Sequence, residues 1–292
     1  VGRNRRAPRV PPEATSMSEP DELFSLRSQF WLGSYQLALN EASALTRLSP
    51  ALRAEKDEFV YRCYIAMGQY QIAIDEISSA APAALQAVKL LATYLSTPDS
   101  LEVALLQLQE WMTDPSSANS TTLQLVTALV HMHADNLPEA IRAVRHGSTM
   151  EHCALLVQLY LRMDRPDLAQ RQLRHMQEAD DDHTLSQLSA AWVACAVGGE
   201  KLQEAVFAFE ELVDKSGGSA LLFNGLAVAN MQLGNWEDAE RNLKEALGKS
   251  SNDPDTLANL VTVSQHTGKD GSRYLSQLRS VSPHHPLLRG LA

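Results

Sequence analysis

The sequence predicts an all-α fold, a solenoid in which helix pairs are stacked one after another. Three observations lead to this prediction. A short sequence motif made of a turn residue and an alanine recurs along most of the chain. Turn residues and prolines separate the apolar stretches, as they do at helix ends. No run of alternating polar and apolar residues is long enough to indicate a sheet.

The repeated motif recurs about every 34 residues, and its clearest copies are residues 32–38, 67–73 and 233–239. Each copy is anchored by a turn residue. The eight anchors are Gly33, Gly68, Asp99, Asp135, Asp164, Glu200, Gly234 and Gly268. This period is that of tetratricopeptide repeats (TPR), in which each copy forms one helix–turn–helix unit. We therefore predict a TPR-type helical-repeat solenoid of about seven to eight helix pairs.

An alanine stands five residues after each of the first seven anchors. These alanines are Ala38, Ala73, Ala104, Ala140, Ala169, Ala205 and Ala239. A small side chain at this position lets the two helices of one repeat cross closely. The eighth copy has Arg273 instead, which indicates a degenerate repeat or a terminal cap.

The predicted helix ends agree with this register. Gly234 is suited to the left-handed conformation that ends a first helix, and Asn235 is suited to cap the second. Gly33 and Ser34 repeat this arrangement in the first copy. Pro138 falls inside the first turn of a second helix, where its missing N–H costs little.

Composition excludes several classes of protein. Hydrophobic residues make up 45% of the 292 residues, which is ordinary for a globular chain. The net charge of −10 argues against a nucleic-acid partner. The longest apolar stretch, 190–197, is too short to span a bilayer. Cys63, Cys153 and Cys195 are odd in number and widely spaced, which argues against a disulfide framework and for a reducing compartment.

The chain divides into an arm, residues 1–20, and a solenoid, residues 21–292. Residues 1–16 contain four arginines, three prolines and one acidic residue. One interpretation is a basic arm or a targeting segment. We favour the alternative, a disordered segment or a non-native extension before Met17, because the segment has no apolar face for a transit helix.

The candidates for chemistry are few. His131 and His133 are two residues apart on a predicted helix, so they point to different faces and cannot share a metal. His146, His152 and Cys153 lie near a repeat junction without metal-ligand spacing. We interpret them as ordinary helix and loop residues. No catalytic constellation is present, so the sequence predicts no enzyme, no metal site and no cofactor.

The concave face of the solenoid is the candidate binding surface. In a TPR array the first helix of each repeat lines this face, and we expect the residues six and three before each anchor to point inward. The apolar candidates are Leu129, Met132, Leu161, Ala194, Val197, Val228 and Met231. The two methionines would suit an irregular apolar ligand. The alternative is that these side chains only pack against neighbouring helices.

Several longer sequence segments resemble one known family. They are residues 30–36, 163–169, 184–188, 256–260 and 273–278. Together they resemble the epsilon subunit of coatomer, the coat of COPI vesicles. The resemblance runs from about Asp21 to Leu288 in one order without large gaps, and it is more specific than the general TPR positions.

The resemblance implies a non-enzymatic structural subunit whose repeats curl into a bracelet around a β-hairpin from the C-terminal region of the alpha subunit. It also implies association with the other coatomer subunits, without a transmembrane segment, on the cytosolic face of Golgi membranes and COPI-coated vesicles. The implied role is Golgi-to-ER retrograde and intra-Golgi transport. The basic arm is not part of the family pattern, and the family usually continues into a helical tail beyond the position of Ala292. The alternative function is a TPR adaptor for another cytosolic assembly.

Overall fold

The computed structural model describes residues 21–290, which form seventeen α-helices and one short 3-10 turn and contain no strand. The predicted basic arm lies outside the described residues. Sixteen helices form eight successive pairs: α1 (Phe24–Trp31) and α2 (Tyr35–Ala44), α3 (Pro50–Ala66) and α4 (Tyr70–Glu76), α5 (Ala83–Ser96) and α6 (Leu101–Thr113), α7 (Thr121–His133) and α8 (Leu137–Val144), α9 (Met150–Arg162) and α10 (Pro166–Asp180), α11 (Thr184–Val197) and α12 (Lys201–Ser216), α13 (Ala220–Gln232) and α14 (Trp236–Lys249), and α15 (Pro254–His266) and α16 (Ser272–Val281). A short helix, α17 (Pro286–Gly290), follows. The predicted all-α TPR-type solenoid is confirmed.

Most of the predicted anchors adopt the left-handed backbone conformation. The four glycine anchors have φ between 69° and 79°. Asp135 and Asp164 have φ of 58° and 56°, a conformation that a short polar side chain tolerates. The left-handed conformation predicted for Gly33 and Gly234 is confirmed, and it recurs at four further anchors.

The other two anchors, Asp99 and Glu200, also lie in turns, but these turns are built differently. In the sixth repeat the left-handed residue next to Glu200 is Gly199, with φ of 59°, and Glu200 itself is right-handed with φ of −63°. In the third repeat Asp99 lies in the 3-10 turn Pro98–Ser100, so the connection tightens without a left-handed residue.

All seven predicted crossing alanines are buried, and none exposes more than 2% of its surface. They lie in the apolar clusters that join each helix pair and its neighbours. Arg273, which replaces the alanine in the eighth copy, is exposed on α16. That helix is held mainly by Leu278, which packs against Leu257 and Ala258 of α15.

Six of the eight first helices, all except α1 and α5, have a side-chain cap, whereas none of their eight second helices has one. Ser120 and Ser219, for example, accept hydrogen bonds from the N–H groups of Leu123 and Leu222. The predicted side-chain caps Ser34 and Asn235 are wrong, because neither makes a capping hydrogen bond. Instead the N–H of each of these two residues donates to a carbonyl five residues earlier, which is the bond that closes a Schellman motif. Pro138 lies in the first turn of α8, as predicted.

The stack curls back on itself, and its first repeat packs against later ones. Leu32, just after α1, is buried in the same cluster as Leu188 and Ala191 of α11 and Leu222 of α13. The hydroxyl of Ser28 lies 3.2 Å from that of Thr184 at the start of α11. We call the contacts of the first repeat with α9, α11 and α13 the seam, and the turn of helices from α1 to α13 that these contacts close the ring.

One residue serves both the seam and a helix cap. The hydroxyl of Ser219 donates a hydrogen bond to the carbonyl of Leu32 and accepts one from the N–H of Leu222. Gly33 follows directly, and a Cβ at this position would lie 3.0 Å from the Cβ of Leu221. The seam thus depends on a close approach of the first turn to the start of α13.

Candidate partner-binding site

The first helices surround a cavity of about 450 Å³ on the inner face of the ring. Its walls come from α1, α3, α7 and α9 and from the residues that precede α9 and α11. The side chains that decide its chemistry are Arg27, Trp31, Glu55, Glu58, Phe59, Arg62, Thr122, Leu125, Glu151 and His183. We call it the inner cavity. Aromatic and charged side chains line it together.

An ion pair and an indole hydrogen bond together join three repeats at the wall of the inner cavity. Arg62 donates from its two Nη atoms to the two carboxylate oxygens of Glu151, at 2.6 and 3.1 Å. The indole N–H of Trp31 donates to the same carboxylate at 2.9 Å. The guanidinium carbon of Arg62 lies 4.6 Å from the ring centre of Phe30 and 4.8 Å from that of Phe59. Burial alone would raise the pKa of Glu151, but the charge and hydrogen bonds of Arg62 lower it.

Glu58 is a second carboxylate of the cavity, and its surroundings differ. The hydroxyl of Thr122 donates to it at 2.5 Å. Burial raises the pKa of Glu58, against the lowering effects of that hydrogen bond and of Arg62. The nearby Arg27 is already engaged, because its Nε donates to Glu55 at 2.9 Å and its Nη1 donates to Asp21 at 2.7 Å.

The seven residues predicted for the groove lie on α7, α9, α11 and α13, toward the C-terminal halves of these first helices. Five of them pack at least partly into the apolar clusters between repeats: Leu129, Met132, Leu161, Ala194 and Met231. The other two, Val197 and Val228, belong to none of these clusters, and Val197 exposes 40% of its surface. Whether the seven contact a partner stays a prediction.

Sequence reasoning identified only one residue of the inner cavity as groove-lining, namely Arg62, six residues before its anchor. It missed Phe59 and Leu125, which lie nine and ten residues before their anchors, and Glu151, thirteen before. A helix repeats its direction every 3.6 residues, so these positions share the inward face. Extending the six-residue rule by one and two helical turns would have found them. Trp31 follows no such rule.

A larger cavity of about 610 Å³ lies away from the inner one, between α6 and α8 and over α7. Its charged groups, Glu139 and Arg142, pair with each other. His131 also lines it, and burial lowers the pKa of this imidazole. In the part of the chain from 21 to 290, no group of three or more His, Cys, Asp or Glu side chains is arranged to hold a metal ion.

Comparison with solved structures identifies the fold alone. A tetratricopeptide repeat protein from Parabacteroides merdae superimposes with a TM-score of 0.60 at 12% identity and covers 88% of this chain and 97% of its own. The APC/C hetero-tetramer Cut9–Hcn1 gives a TM-score of 0.63 at 16% identity and covers 92% of this chain and 54% of its own. Both likenesses fit a TPR solenoid.

Comparison of sequences identifies the family. The chain is 47% identical over 277 residues to coatomer subunit epsilon-1 of Arabidopsis thaliana, covering 95% of this chain and 94% of that protein. It is 34% identical over 276 residues to coatomer subunit epsilon of Dictyostelium discoideum, covering 91% and 92%. The family model described as coatomer epsilon subunit matches residues 19–292. The chain therefore belongs to the coatomer epsilon subunit family, the epsilon subunits of the COPI coat.

Proposed function

We propose that this chain is a non-enzymatic structural subunit of coatomer that binds the C-terminal region of the alpha subunit on the inner face of its ring. Through that contact it would join the other coatomer subunits and support Golgi-to-ER retrograde and intra-Golgi vesicle transport. The observation that carries the proposal is the 47% identity to a coatomer epsilon subunit over 95% of the chain. A TPR solenoid of this kind holds partners on its concave surface.

The geometry supports a β-hairpin as the bound element. In the proposed arrangement, apolar side chains such as Val197 and Val228 face the partner toward one end of the first helices. The inner face offers the charged inner cavity, with Arg62 and Glu151, toward the other end. Successive side chains of a strand point to opposite faces, so one hairpin can present apolar residues to one region and polar residues to the other.

The proposed location follows from the same assembly. As a coat subunit, the chain would be held peripherally on the cytosolic face of Golgi membranes and COPI-coated vesicles through its partner subunits. Within residues 21–290 no helix combines the length and apolar character that crossing a bilayer requires. The net charge of −10 gives no attraction to a phosphate backbone, so a nucleic-acid partner is not expected.

The test is a binding measurement with the C-terminal region of the alpha subunit from the same organism. Replacing Met132 and Met231 together by Asp should weaken binding about a hundredfold, because an unpaired charge would be desolvated in an apolar contact. Both methionines pack partly into clusters of the fold. A second variant, Val197→Asp with Val228→Asp, therefore places the same charges outside these clusters.

The matched control is Val103→Asp with Phe207→Asp, which puts two charges on exposed apolar positions of the second helices α6 and α12. Circular dichroism on each variant reports folding. If the folded valine variant binds as tightly as the wild-type chain, the groove assignment is wrong. If the wild-type chain does not bind the alpha region, and a pull-down from cytosol recovers another protein assembly, the adaptor alternative replaces the coat function.

A further inference from the structure

We propose that the inner cavity receives a cationic side chain, a lysine or an arginine, from the segment bound inside the ring, and that this side chain pairs with Glu58. The inference rests on the proposed function, because it concerns the same inner face. It adds the chemistry of one contact and names the residue of this chain that makes it.

The charges around the cavity do not balance. Four carboxylates, those of Asp21, Glu55, Glu58 and Glu151, lie near two guanidinium groups, and both of these groups are engaged. Arg27 pairs with Asp21 and Glu55 at 2.7 Å each. The other guanidinium pairs with Glu151 at 2.6 Å. Among the described residues, no Lys or Arg forms an ion pair with Glu58, so the cavity carries an excess negative charge.

Glu58 is held in place by a neutral group. The Thr122 hydroxyl fixes the carboxylate at 2.5 Å but carries no charge to compensate it. Burial of Glu58 and the neighbouring charges of Glu55 and Glu151 raise its pKa, whereas Thr122 and Arg62 lower it. A charged carboxylate in this place is unfavourable in the free protein, and an incoming cation would relieve that cost.

The walls of the cavity suit the stem of a long cationic side chain. Trp31 supplies aromatic surface to the cavity, whereas Phe59 is buried beneath the Arg62 guanidinium. The methylene groups of lysine or arginine pack on such surface while the charged end reaches an acidic partner. The volume of about 450 Å³ is of the size that takes a side chain or a small ligand.

The experiment compares the wild-type chain with Glu58→Gln. Glutamine keeps the size of the side chain and an oxygen that can accept from Thr122, but it removes the charge. We expect affinity for the C-terminal region of the alpha subunit to fall about tenfold, as for loss of a charge-assisted hydrogen bond. We also expect binding to depend less on salt concentration. The melting temperature of the free variant should stay the same or rise, because an unfavourable, half-buried charge has been removed.

Glu102→Gln is the matched control, since Glu102 is exposed on α6 and has no ion pair among the described residues. It should leave affinity and salt dependence unchanged. A double-mutant cycle between Glu58→Gln and neutralised basic residues of the alpha region should find one residue whose loss is not additive with that of Glu58. That residue would be the proposed cation.

The outcomes separate this inference from the proposed function. If the wild-type chain binds the alpha region and Glu58→Gln binds it with the same affinity, the inference is wrong and the proposed function stands. A lower melting temperature with unchanged affinity leads to the same conclusion, because Glu58 would then only support the fold. A wild-type chain that does not bind the alpha region overturns both.

Discussion

The ordinary joints between successive repeats and the seam that closes the ring are built from different side chains. The joints consist mainly of buried alanine, leucine and valine, and each of the first seven repeats has an alanine, such as Ala140 or Ala239, where its two helices cross. The seam combines the apolar packing of Leu32 with hydrogen bonds made by Trp31 and Ser219. Apolar joints are interchangeable between repeats, whereas the seam is made once.

This difference has a physical reason. A stack of similar repeats can extend in either direction, so its apolar joints do not choose where the chain should close. Hydrogen bonds and ion pairs demand particular distances and angles. We therefore expect the polar contacts of the seam to fix which repeats meet, and the apolar joints to supply most of the stability.

The largest effect should come from breaking the ion pair beside the seam. Glu151→Ala leaves the Arg62 guanidinium without its carboxylate, and both side chains are only 16% exposed. We expect the free energy of unfolding to fall by about 3 kcal/mol, as measured by urea unfolding. The control is Glu204→Ala, which removes the ion-pair partner of Lys201. The side chains of Glu204 and Lys201 are 62% and 53% exposed. The control should cost less than about 0.5 kcal/mol, and equal losses in the two variants would remove the distinction.

The next effect concerns an ordinary joint. Ala239→Leu adds three carbons at a crossing with no exposed surface. We expect a loss of about 2 kcal/mol from overpacking, seen as a lower urea midpoint. Ala196→Leu adds the same atoms to an exposed position on α11 and should change stability by less than about 0.5 kcal/mol. A well-tolerated Ala239→Leu would show that the crossing needs no small residue.

A smaller effect separates the stability contributed by the seam hydrogen bond from that contributed by the helix cap. Ser219→Ala removes both the cap of α13 and the hydrogen bond to Leu32, whereas Ser120→Ala removes only the equivalent cap of α7. The first variant should lose about 1 kcal/mol more than the second, the worth of one hydrogen bond. Thermal unfolding of both variants measures the difference. Identical losses would mean that the Ser219–Leu32 bond adds nothing to stability.

The smallest effect is a dependence of the seam on pH. The ring of His183 lies 5.0 Å from that of Trp31 in a tilted arrangement. His183 also caps α11, because its Nδ1 accepts from the N–H of Leu185 at 3.1 Å. Burial lowers the pKa of His183, against the charge of Asp180. As pH falls, the unfolded chain therefore takes up the proton before the folded chain does. The stability that neutral His183 contributes is present above the ordinary histidine pKa of about 6.5, and it is lost as pH falls through the lower pKa of the folded state.

We expect the loss from His183 to be below about 1 kcal/mol, the usual worth of a cap, between about pH 7.5 and about pH 5.5. His183→Asn supplies a cap that does not titrate, so its stability should fall less over this range than that of the wild-type chain. Melting temperatures across the range give the comparison. Other histidines with lowered pKa values, such as His152, contribute equally to both proteins. Parallel curves would exclude His183 as the cause.

The same contrast explains how much of the molecule could be predicted from the sequence. The joints repeat, so the turn residues and the seven alanines could be identified from their spacing alone. The seam could not, because Trp31 and Glu151 are 120 residues apart and Ser219 and Leu32 are 187 apart, and neither pair has a counterpart in another repeat.

The inner cavity was missed for a related reason. A groove was sought among apolar residues such as Met132 and Met231, at two positions of each first helix. The charged residues Glu58 and Glu151 lie one and two helical turns away from those positions, and an apolar criterion does not select them. Pairing between charges on different repeats depends on the curvature of the stack, which local sequence patterns do not encode.

The closure of the ring by the first repeat has a consequence for the lifetime of a complex. A hairpin held inside an open solenoid can leave sideways, at a rate set by its own contacts. For a hairpin bound as proposed, the packing of Leu32 against α11 and α13 would close that exit. Departure would require the first repeat to swing away, so we expect the dissociation rate to follow the opening of the seam rather than the area of the buried surface. Residence time in the coat would then be governed by residues that never touch the partner.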